Sequence, residues 1–316
     1  MAAIARQILR ADADGTPEWL AQRTEGFGGS NASELHNGKK SRFQLWREKT
    51  GHAAPEYISP ELQALFDYGH SREPALAKIF TERTRWRVRN TGTWARKDHP
   101  WMLANPDRLV GSNGLLEIKT TGAYTEAAKQ WRDGRVPDHA WVQAHWYAHV
   151  TGRRVLWFIA EVDRQSIILG PYDVDEDLID DLELEAREFW ELVTAGEQPA
   201  PTAPEDMPVA YPASTEGKVL EIDPWDETVT DLERLAQVQA QIKELQGEEK
   251  HLKTSIQSEM GDAEAITADG RVLVTWKSQT RKGGIDTKAL ADAAGLDPED
   301  FRKKSSTSRT FLVKGA

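Results

Sequence analysis

The sequence predicts an α/β fold in which a central mixed β-sheet is flanked by helices. Amphipathic helical patterns and short apolar strand patterns follow one another over the first 195 residues of the 316-residue chain. One strand pattern, residues 155–160, is apolar throughout, which is typical of a strand covered on both faces. The order helix, three strands, helix, two strands, helix is that of an α/β domain with a mixed sheet.

The elements are predicted in order from apolar spacing and breaker residues. Residues 61–84 have helical spacing, and Pro74 divides them into two helices or one kinked helix. Residues 86–95 alternate apolar and basic side chains, which indicates a strand. The other elements predicted before residue 196 are a hairpin at 102–121, a helix at 139–150, strands at 155–160 and 166–169, and an acidic helix at 174–195.

The chain is predicted to have two parts joined by a linker. Residues 196–220 are rich in Pro and Ala and lack periodicity, which indicates a semi-rigid linker between a domain of residues 1–195 and a C-terminal region of residues 221–316. That region begins with a long helix whose narrow apolar seam suits a coiled coil or packing against the rest of the protein. The predicted C-terminal elements are the helix at 229–260, then a small α+β appendage with a hairpin at 265–276, a helix at 285–294 and a strand at 310–313.

Composition and charge exclude several functional classes. The chain contains no cysteine, so disulfides and cysteine-ligated metal clusters are excluded, and a reducing cytoplasm fits this composition. No apolar run is long enough to span a membrane, which predicts a soluble protein without a membrane partner. The net charge is −11, but residues 1–172 carry 24 basic and 19 acidic side chains, whereas residues 173–206 carry 13 acidic ones and one basic one. Acidity is therefore concentrated outside the candidate active region, and the charge is compatible with a DNA partner.

The segment 102–121 is predicted to bring two carboxylates and a lysine together. Asp107 opens the first strand of the hairpin after the Asn105-Pro106 turn, residues 111–114 have turn chemistry, and Glu117 and Lys119 lie in the second strand. Because alternate strand side chains face opposite sides, Glu117 and Lys119 share one face and oppose Asp107, while their neighbours point to the core. At an edge of the sheet, this group would hold a divalent cation beside a polarised water. The alternative is a solvated ion pair.

Three further features allow both a functional and a structural interpretation. In residues 26–35, glycines precede Ser30 at a helix start, which either leaves backbone N–H groups free for a phosphate or forms an ordinary capped turn. Glu73 is either a metal ligand or a first-turn acid favoured by the helix dipole. His145 and His149 are interpreted as packing or solvated residues, because the Glu of a His-Glu-x-x-His metal motif is missing.

These motifs resemble those of a known nuclease superfamily. Pro106-Asp107 and Glu117-Ile118-Lys119 are similar to the motif of the PD-(D/E)xK nucleases. More narrowly, the order of the motifs resembles the YqaJ-type viral recombinases, the group that includes phage lambda exonuclease, over roughly residues 15–195. The matching pieces are Trp-Leu-Ala-Gln-Arg at 19–23, Gly-Gly-Ser-Asn-Ala at 28–32, Gly-His-Ser-Arg-Glu-Pro-Ala-Leu-Ala at 69–77, Asn-Pro-Asp at 105–107, Leu-Glu-Ile-Lys at 116–119, and Gln143 before Tyr147.

The resemblance implies a restriction-endonuclease-like core with a metal site. Asp107 and Glu117, together with the carbonyl oxygen of Ile118, would hold Mg²⁺ or Mn²⁺. Glu73 would complete a second metal position, so that two ions are expected. Carboxylate and carbonyl oxygens are the ligands that these hard cations prefer.

The resemblance also implies roles for the matching residues that are not metal ligands. Lys119 would orient or activate the attacking water, and Gln143 would help to place that water or the scissile phosphate. Arg23 and Ser30, with the glycine-rich turn, would form a pocket for the 5′-terminal phosphate of DNA.

The implied activity is a metal-dependent exonuclease that degrades linear double-stranded DNA from 5′ to 3′ and leaves 3′ overhangs for phage-type homologous recombination. Implied with it are a single-strand annealing partner, a homotrimer, and a phage or prophage origin with action in the bacterial cytoplasm. Two alternatives stay open. One is an endonuclease of the same core in repair or restriction, and the other is a non-catalytic DNA-binding or scaffold protein assembled through the long helix.

Overall fold

The protein is described by a computed structural model, which covers residues 4–13, 16–54, 57–303, 305 and 308–313. Contacts divide the chain into two compact units, Met1–Ala210 and Tyr211–Ala316. The predicted α/β class, with a central mixed sheet flanked by helices and a long C-terminal helix, is confirmed.

The first unit contains both the sheet and its covering helices. Its strands are β1 (Ala5–Gln7), β2 (Val88–Arg89), β3 (Trp94–Arg96), β4 (Leu103–Ala104), β5 (Arg108–Val110), β6 (Gly114–Thr121), β7 (Val155–Val162) and β8 (Gln165–Asp173). Its helices are α1 (Pro17–Glu25), α2 (Gly29–His36), α3 (Arg42–Lys49), α4 (Pro60–Thr84), α5 (Glu126–Arg132), α6 (Asp138–Thr151), α7 (Glu176–Ala195) and α8 (Met207–Ala210).

The main sheet has the strand order β2-β5-β6-β7-β8, so β6 is its central strand. Strand β6 pairs antiparallel with β5 through the predicted hairpin and parallel with β7 on its other side. The prediction that the hairpin lies at an edge of the sheet is therefore wrong. The parallel partner β7 could not be inferred from the local pattern, because the helices α5 and α6 separate the two strands in sequence.

Strand β6 is central because both of its faces are covered by apolar side chains. Leu116 and Ile118 pack with Leu76 and Phe80 of α4 on one face of the sheet. On the other face, Leu115 belongs to a larger core that includes residues of α2, α5, α6 and α7. The prediction that the neighbours of Glu117 point to the core is confirmed.

Helix α4 runs without interruption through Pro74, so the alternative of two separate helices is wrong. The side chain of Ser59 caps its start. Glu161 of β7, which is buried, accepts hydrogen bonds from Arg72 Nη2 at 2.6 Å and from Tyr68 Oη at 2.6 Å. This contact and the buried apolar face tie both halves of the helix to the sheet, and tertiary packing of this kind outweighs the unfavourable effect of one internal proline.

The predicted strand at 86–95 is two strands in different sheets. Strand β2 pairs with β5 in the main sheet, whereas β3 pairs with β1 and β4 in a second, three-stranded sheet. The chain changes sheets near Gly92, where an added Cβ would lie 2.2 Å from the backbone oxygen of Leu9. This close approach requires glycine. Strand β1 was not predicted, because its three residues carry too short a pattern.

The predicted packing role of the two histidines on α6 agrees with their surroundings. Both side chains are buried. His145 Nδ1 lies 2.8 Å from the carbonyl oxygen of Trp141, and its Nε2 accepts from the backbone N–H of Asp175. His149 contacts Arg96 and Glu183.

The role of residues 196–220 as a linker between domains stays a prediction, but residues 196–210 belong to the first unit. Asp206 is fully buried, and its carboxylate accepts hydrogen bonds from Ser41 Oγ and from the backbone N–H groups of Thr202 and Ala203.

The second unit contains the elements α9 (Glu227–Met260), β9 (Ala265–Ala268), β10 (Arg271–Thr275) and α10 (Thr287–Ala294). Strands β9 and β10 pair antiparallel, which confirms the predicted hairpin. The strand predicted at 310–313 is not formed, and these residues have no regular secondary structure. A single strand without a pairing partner is not stable by itself.

Truncation of a core residue on the central strand tests this packing. Leu116→Ala is expected to lower the free energy of unfolding by about 2–5 kcal/mol, because the fully buried side chain leaves a cavity between β6 and α4. The control Leu184→Ala, at a side chain that is 59 % exposed on α7, should change it by less than about 0.5 kcal/mol. Chemical denaturation followed by tryptophan fluorescence measures both, and equal effects would contradict the assigned core.

Candidate active site

The register of the β5–β6 hairpin brings Asp107 and Glu117 together. Arg108 pairs with Leu116 across the hairpin, and continuing this register places Asp107 opposite Glu117 on the same face. The Asp107 carboxylate also accepts a hydrogen bond from the backbone N–H of Ile118 at 2.6 Å. Two carboxylates are thus fixed side by side, one in the middle of β6 and the other just before β5.

A chain of polar contacts leads from these acids into helix α6. Lys119 Nζ lies 2.7 Å from Glu117 Oε1 and donates a hydrogen bond to Gln143 Oε1 at 2.8 Å. Gln143 Nε2 in turn donates to the hydroxyl of Tyr147 at 2.7 Å. The ion pair of Lys119 with Glu117 lacks hydrogen-bond geometry, so within the described part of the chain Glu117 Oε1 is a buried oxygen without a hydrogen bond.

The site concentrates negative charge in a buried place. Burial raises the pKa of the Asp107 carboxyl well above its usual range, and Glu117 raises it further. Burial likewise raises the pKa of Glu117, against the lowering effect of Lys119. Burial by itself would lower the pKa of Lys119, but the two carboxylates outweigh it and raise that pKa. An additional cation at this place would favour both carboxylates in their charged form.

Glu73 lies near the two acids but contacts a different partner. It accepts a hydrogen bond from Arg108 Nη1 at 3.1 Å, and its charge contributes to the raised pKa of Asp107. Among the described residues, no three Asp, Glu or His side chains converge closely enough to form a metal-ligand cluster. Glu73 belongs to α4 and pairs with Arg108, which shares the sheet face of Leu116 toward that helix. Asp107 and Glu117 share the opposite face of the sheet, so Glu73 does not join them.

The two residues of the predicted phosphate pocket contact each other. Arg23 Nη2 donates to Ser30 Oγ at 3.3 Å, and the Arg23 guanidinium lies over the Trp19 ring at 4.6 Å from its centroid. Helix α2 begins beside them and approaches α6 closely, since an added Cβ on Gly29 would lie 2.5 Å from Tyr147 Cε1. The glycine-rich turn therefore allows this helix start to meet the end of the polar chain.

A cleft of about 320 Å³ joins the two groups of residues. Six of the side chains that line it are Trp19, Arg23, Glu73, Asp107, Gln143 and Tyr147. Of the predicted site residues, the cleft is lined by Arg23, Glu73, Asp107 and Gln143, whereas Ser30, Glu117 and Lys119 are not part of its lining. The individual roles of all these residues stay predictions.

Two residues of this site were not singled out as functional from the sequence. Arg108 follows Asp107 directly, but its contact with Glu73 depends on how α4 lies on the sheet, and no local pattern shows this. Tyr147 has a local signal, because it lies four residues after Gln143 and the two therefore share a helix face. Burial, followed by Glu117, raises the pKa of Tyr147 well above its usual range, so its hydroxyl stays protonated.

The residues present fit a divalent cation. Asp107 and Glu117 supply oxygen ligands of the type that Mg²⁺ and Mn²⁺ prefer, and Glu117 Oε1 is buried without a hydrogen bond in the described structure. Glu73 is paired with Arg108 and Glu117 with Lys119, whereas the Asp107 carboxylate accepts a backbone N–H, so that two cationic side chains accompany three acids.

Comparison with known proteins defines the class of this chain. Residues 18–154 match the family model described as the YqaJ-like viral recombinase domain. The protein named "Uncharacterized protein YqaJ" from Bacillus subtilis (strain 168) is 32% identical over 311 residues, which cover 94% of this chain and 93% of that protein. The chain therefore belongs to the YqaJ-like viral recombinase family.

The fold is also similar to solved structures of the alkaline exonuclease LHK-Exo from Laribacter hongkongensis. One of these structures is 21% identical in sequence, and another, in complex with dAMP, is 23% identical. Each has a TM-score of 0.49 and covers 58% of this chain and 94% of the matched chain. Separately, no helix in the described ranges combines the length and apolar character needed to cross a membrane.

Replacing the Asp107 carboxylate with a neutral amide tests whether the negative charge of the site is incompletely compensated. The raised pKa of folded Asp107 means that its carboxylate destabilises the fold, and that this cost grows as pH rises from the unfolded pKa toward the folded one. In chelator at pH 8, Asp107→Asn should therefore stabilise the protein by about 1–2 kcal/mol, or roughly 2–8 °C in Tm. The gain should disappear near pH 4.

Thermal unfolding with and without Mg²⁺ measures this effect. Asp180→Asn, at an exposed acid on α7, is the matched control and should leave Tm unchanged at both pH values. Mg²⁺ should raise the Tm of the unmodified protein and not that of Asp107→Asn. A lower Tm for Asp107→Asn in chelator at pH 8 would contradict the assigned electrostatics.

Proposed function

We propose that this protein is a metal-dependent deoxyribonuclease that degrades linear double-stranded DNA from 5′ to 3′ and leaves 3′ overhangs for recombination. The observation that carries the proposal is the group formed by the buried Glu117 and the half-buried Asp107 and Lys119, in which two acids face one lysine beside a cleft, in a chain of the viral recombinase family.

Asp107 and Glu117, with the carbonyl oxygen of Ile118, are the proposed ligands of Mg²⁺ or Mn²⁺. A bound divalent cation supplies a water of low pKa and compensates the charge that develops on the phosphate oxygens. Glu73 is proposed to contribute to a second ion, and this requires its contact with Arg108 to be broken or shared. Arg108 then has an oxygen of the DNA backbone as an alternative partner.

Lys119 and Gln143 are proposed to position the attacking water and the scissile phosphate. The raised pKa of Lys119 keeps its side chain an ammonium, which donates hydrogen bonds and offsets negative charge. Gln143 is held at both ends of its amide, by Lys119 Nζ and by the Tyr147 hydroxyl. A side chain fixed in this way places its partner with little loss of entropy during the reaction.

Arg23 and Ser30 are proposed to bind the 5′-terminal phosphate. The guanidinium provides paired donors for phosphate oxygens, and the start of α2 adds backbone N–H groups. A phosphate held here and a scissile bond near Asp107 would both lie in the same cleft. This arrangement supports a preference for 5′ ends. The annealing partner and the trimer implied by the family resemblance are further expectations of the same proposal.

Removal of the lysine tests catalysis directly. Lys119→Ala should lower the rate of Mg²⁺-dependent digestion of linear duplex by about 10²–10⁴-fold, because the water and the phosphate lose a positioned cation. DNA binding in Ca²⁺ should be retained, and chelator should abolish digestion by the unmodified protein. Lys129→Ala, at an exposed lysine of α5, is the control.

The same assay separates the alternatives. Cleavage of covalently closed circular DNA would favour an endonuclease. No Mg²⁺-dependent product from any DNA form, with binding intact, would favour a non-catalytic DNA-binding protein.

The 5′ preference has its own test. On a duplex labelled at the 5′ end, early release of labelled mononucleotide is expected, and Arg23→Ala should reduce the preference for a 5′-phosphate over a 5′-hydroxyl by about tenfold or more. Arg135→Ala, at an exposed arginine, serves as the control. Release of label only from the 3′ end would contradict the proposed polarity.

A further inference from the structure

The predicted phosphate residues lie in a corner formed by the end of α1, residues 26–28 and the start of α2. Helix α1 is weakly anchored. None of the side chains of Pro17–Glu25, all within the described structure, is buried. A nine-residue helix without a buried face is marginal by itself. The position of Arg23, in its last turn, therefore depends on the polar contacts made at the end of the helix.

Lys49, the last residue of α3, makes these contacts. Its Nζ donates to the backbone carbonyl oxygen of Arg23 at 2.6 Å and to that of Gly26 at 2.6 Å. Carbonyl groups at the end of a helix lack partners within the helix, and the helix dipole favours a cation there. Lys49 thus satisfies two carbonyl groups at the C-terminal end of α1.

The opposite side of the corner is fixed by backbone contacts. The N–H of Phe27 donates to the carbonyl oxygen of Trp101 at 2.8 Å, and the N–H of Leu103 donates to that of Phe27 at 2.9 Å. An added Cβ on Gly26 would lie 2.3 Å from Leu103 Cδ1, so the backbone is in close contact here. The corner is therefore held between this segment and the Lys49 ammonium.

The charge of Lys49 also bears on the pocket. Burial lowers its pKa to about 8, and the positive charge of Arg23 contributes to the lowering. The two cations repel each other, and an anion bound by Arg23 would offset that repulsion.

We propose that Lys49 is a positioning residue for the 5′-phosphate pocket. By bridging the carbonyl groups of Arg23 and Gly26, it fixes the end of α1 so that the Arg23 guanidinium lies beside Ser30. It acts through the backbone of Arg23 and does not contact the phosphate. The inference rests on the proposed function. It adds a residue of a different helix, Lys49 of α3, as one that sets the preference for a phosphorylated 5′ end.

The test compares variants of the full chain on linear duplexes with a 5′-phosphate or a 5′-hydroxyl. Lys49→Met should raise KM for the phosphorylated duplex by about 10–100-fold and leave kcat, and the activity on the hydroxyl duplex, unchanged. Lys49→Arg, which keeps donors for both carbonyl groups, should restore most of the preference. Lys40→Met is the matched control, because Lys40 pairs with Glu34 and Glu48 instead. Its preference should equal that of the unmodified protein.

A second measurement does not depend on turnover. In chelator, binding of end-labelled 5′-phosphorylated and 5′-hydroxyl duplexes, followed by the fluorescence anisotropy of the label, should show weaker discrimination between the two duplexes in Lys49→Met. Lys49→Gln carries the same expectation if the Met variant does not fold, as judged by its Tm.

The outcomes separate this inference from the proposed function. If Arg23→Ala loses the 5′-phosphate preference while Lys49→Met keeps it, the inference is overturned and the pocket stands. An equal fall of kcat on both duplexes in Lys49→Met would also overturn it, since that indicates a general structural role. If Arg23→Ala keeps the preference, the pocket itself fails and the inference fails with it.

Discussion

The site depends on one electrostatic constraint, the position of the half-buried Asp107, just before β5, beside the buried Glu117 of the central strand. Carboxylates in such a place are stable as anions only with compensating cations or hydrogen-bond donors. The described structure supplies the Lys119 ammonium and the backbone N–H of Ile118, and it leaves Glu117 Oε1 without a hydrogen bond. A buried arrangement that disfavours its own charges is typical of functional sites and costs stability.

The central position of β6 makes this constraint rigid. Hydrogen bonds to β5 and β7 hold the strand on both sides, and apolar layers cover both faces. Gln143 and Tyr147 then approach from α6, and α2 meets that helix through the close contact at Gly29. Side chains from α1, α4 and α6 therefore meet Asp107 at one cleft. Groups held in this way can be preorganised for charge stabilisation.

The sequence predicted those parts of the site that depend on local geometry. The spacing of Asp107 and Glu117 around a turn is enough to place them opposite each other, and the helix start at Ser30 has a local pattern. Contacts between distant segments had no such signal. The pairing of β6 with β7, the division of residues 86–95 between two sheets, and the contact of Arg108 with Glu73 each depend on how separate layers pack.

An anomalous difference map from crystals of the protein grown with Mn²⁺ would show whether these acids hold a cation. A Mn²⁺ peak is expected between the carboxylates of Asp107 and Glu117 and the carbonyl oxygen of Ile118, and no such peak is expected in Glu117→Gln. A map without a peak at this place, in crystals saturated with Mn²⁺, would contradict the claim that these buried acids form a cation site.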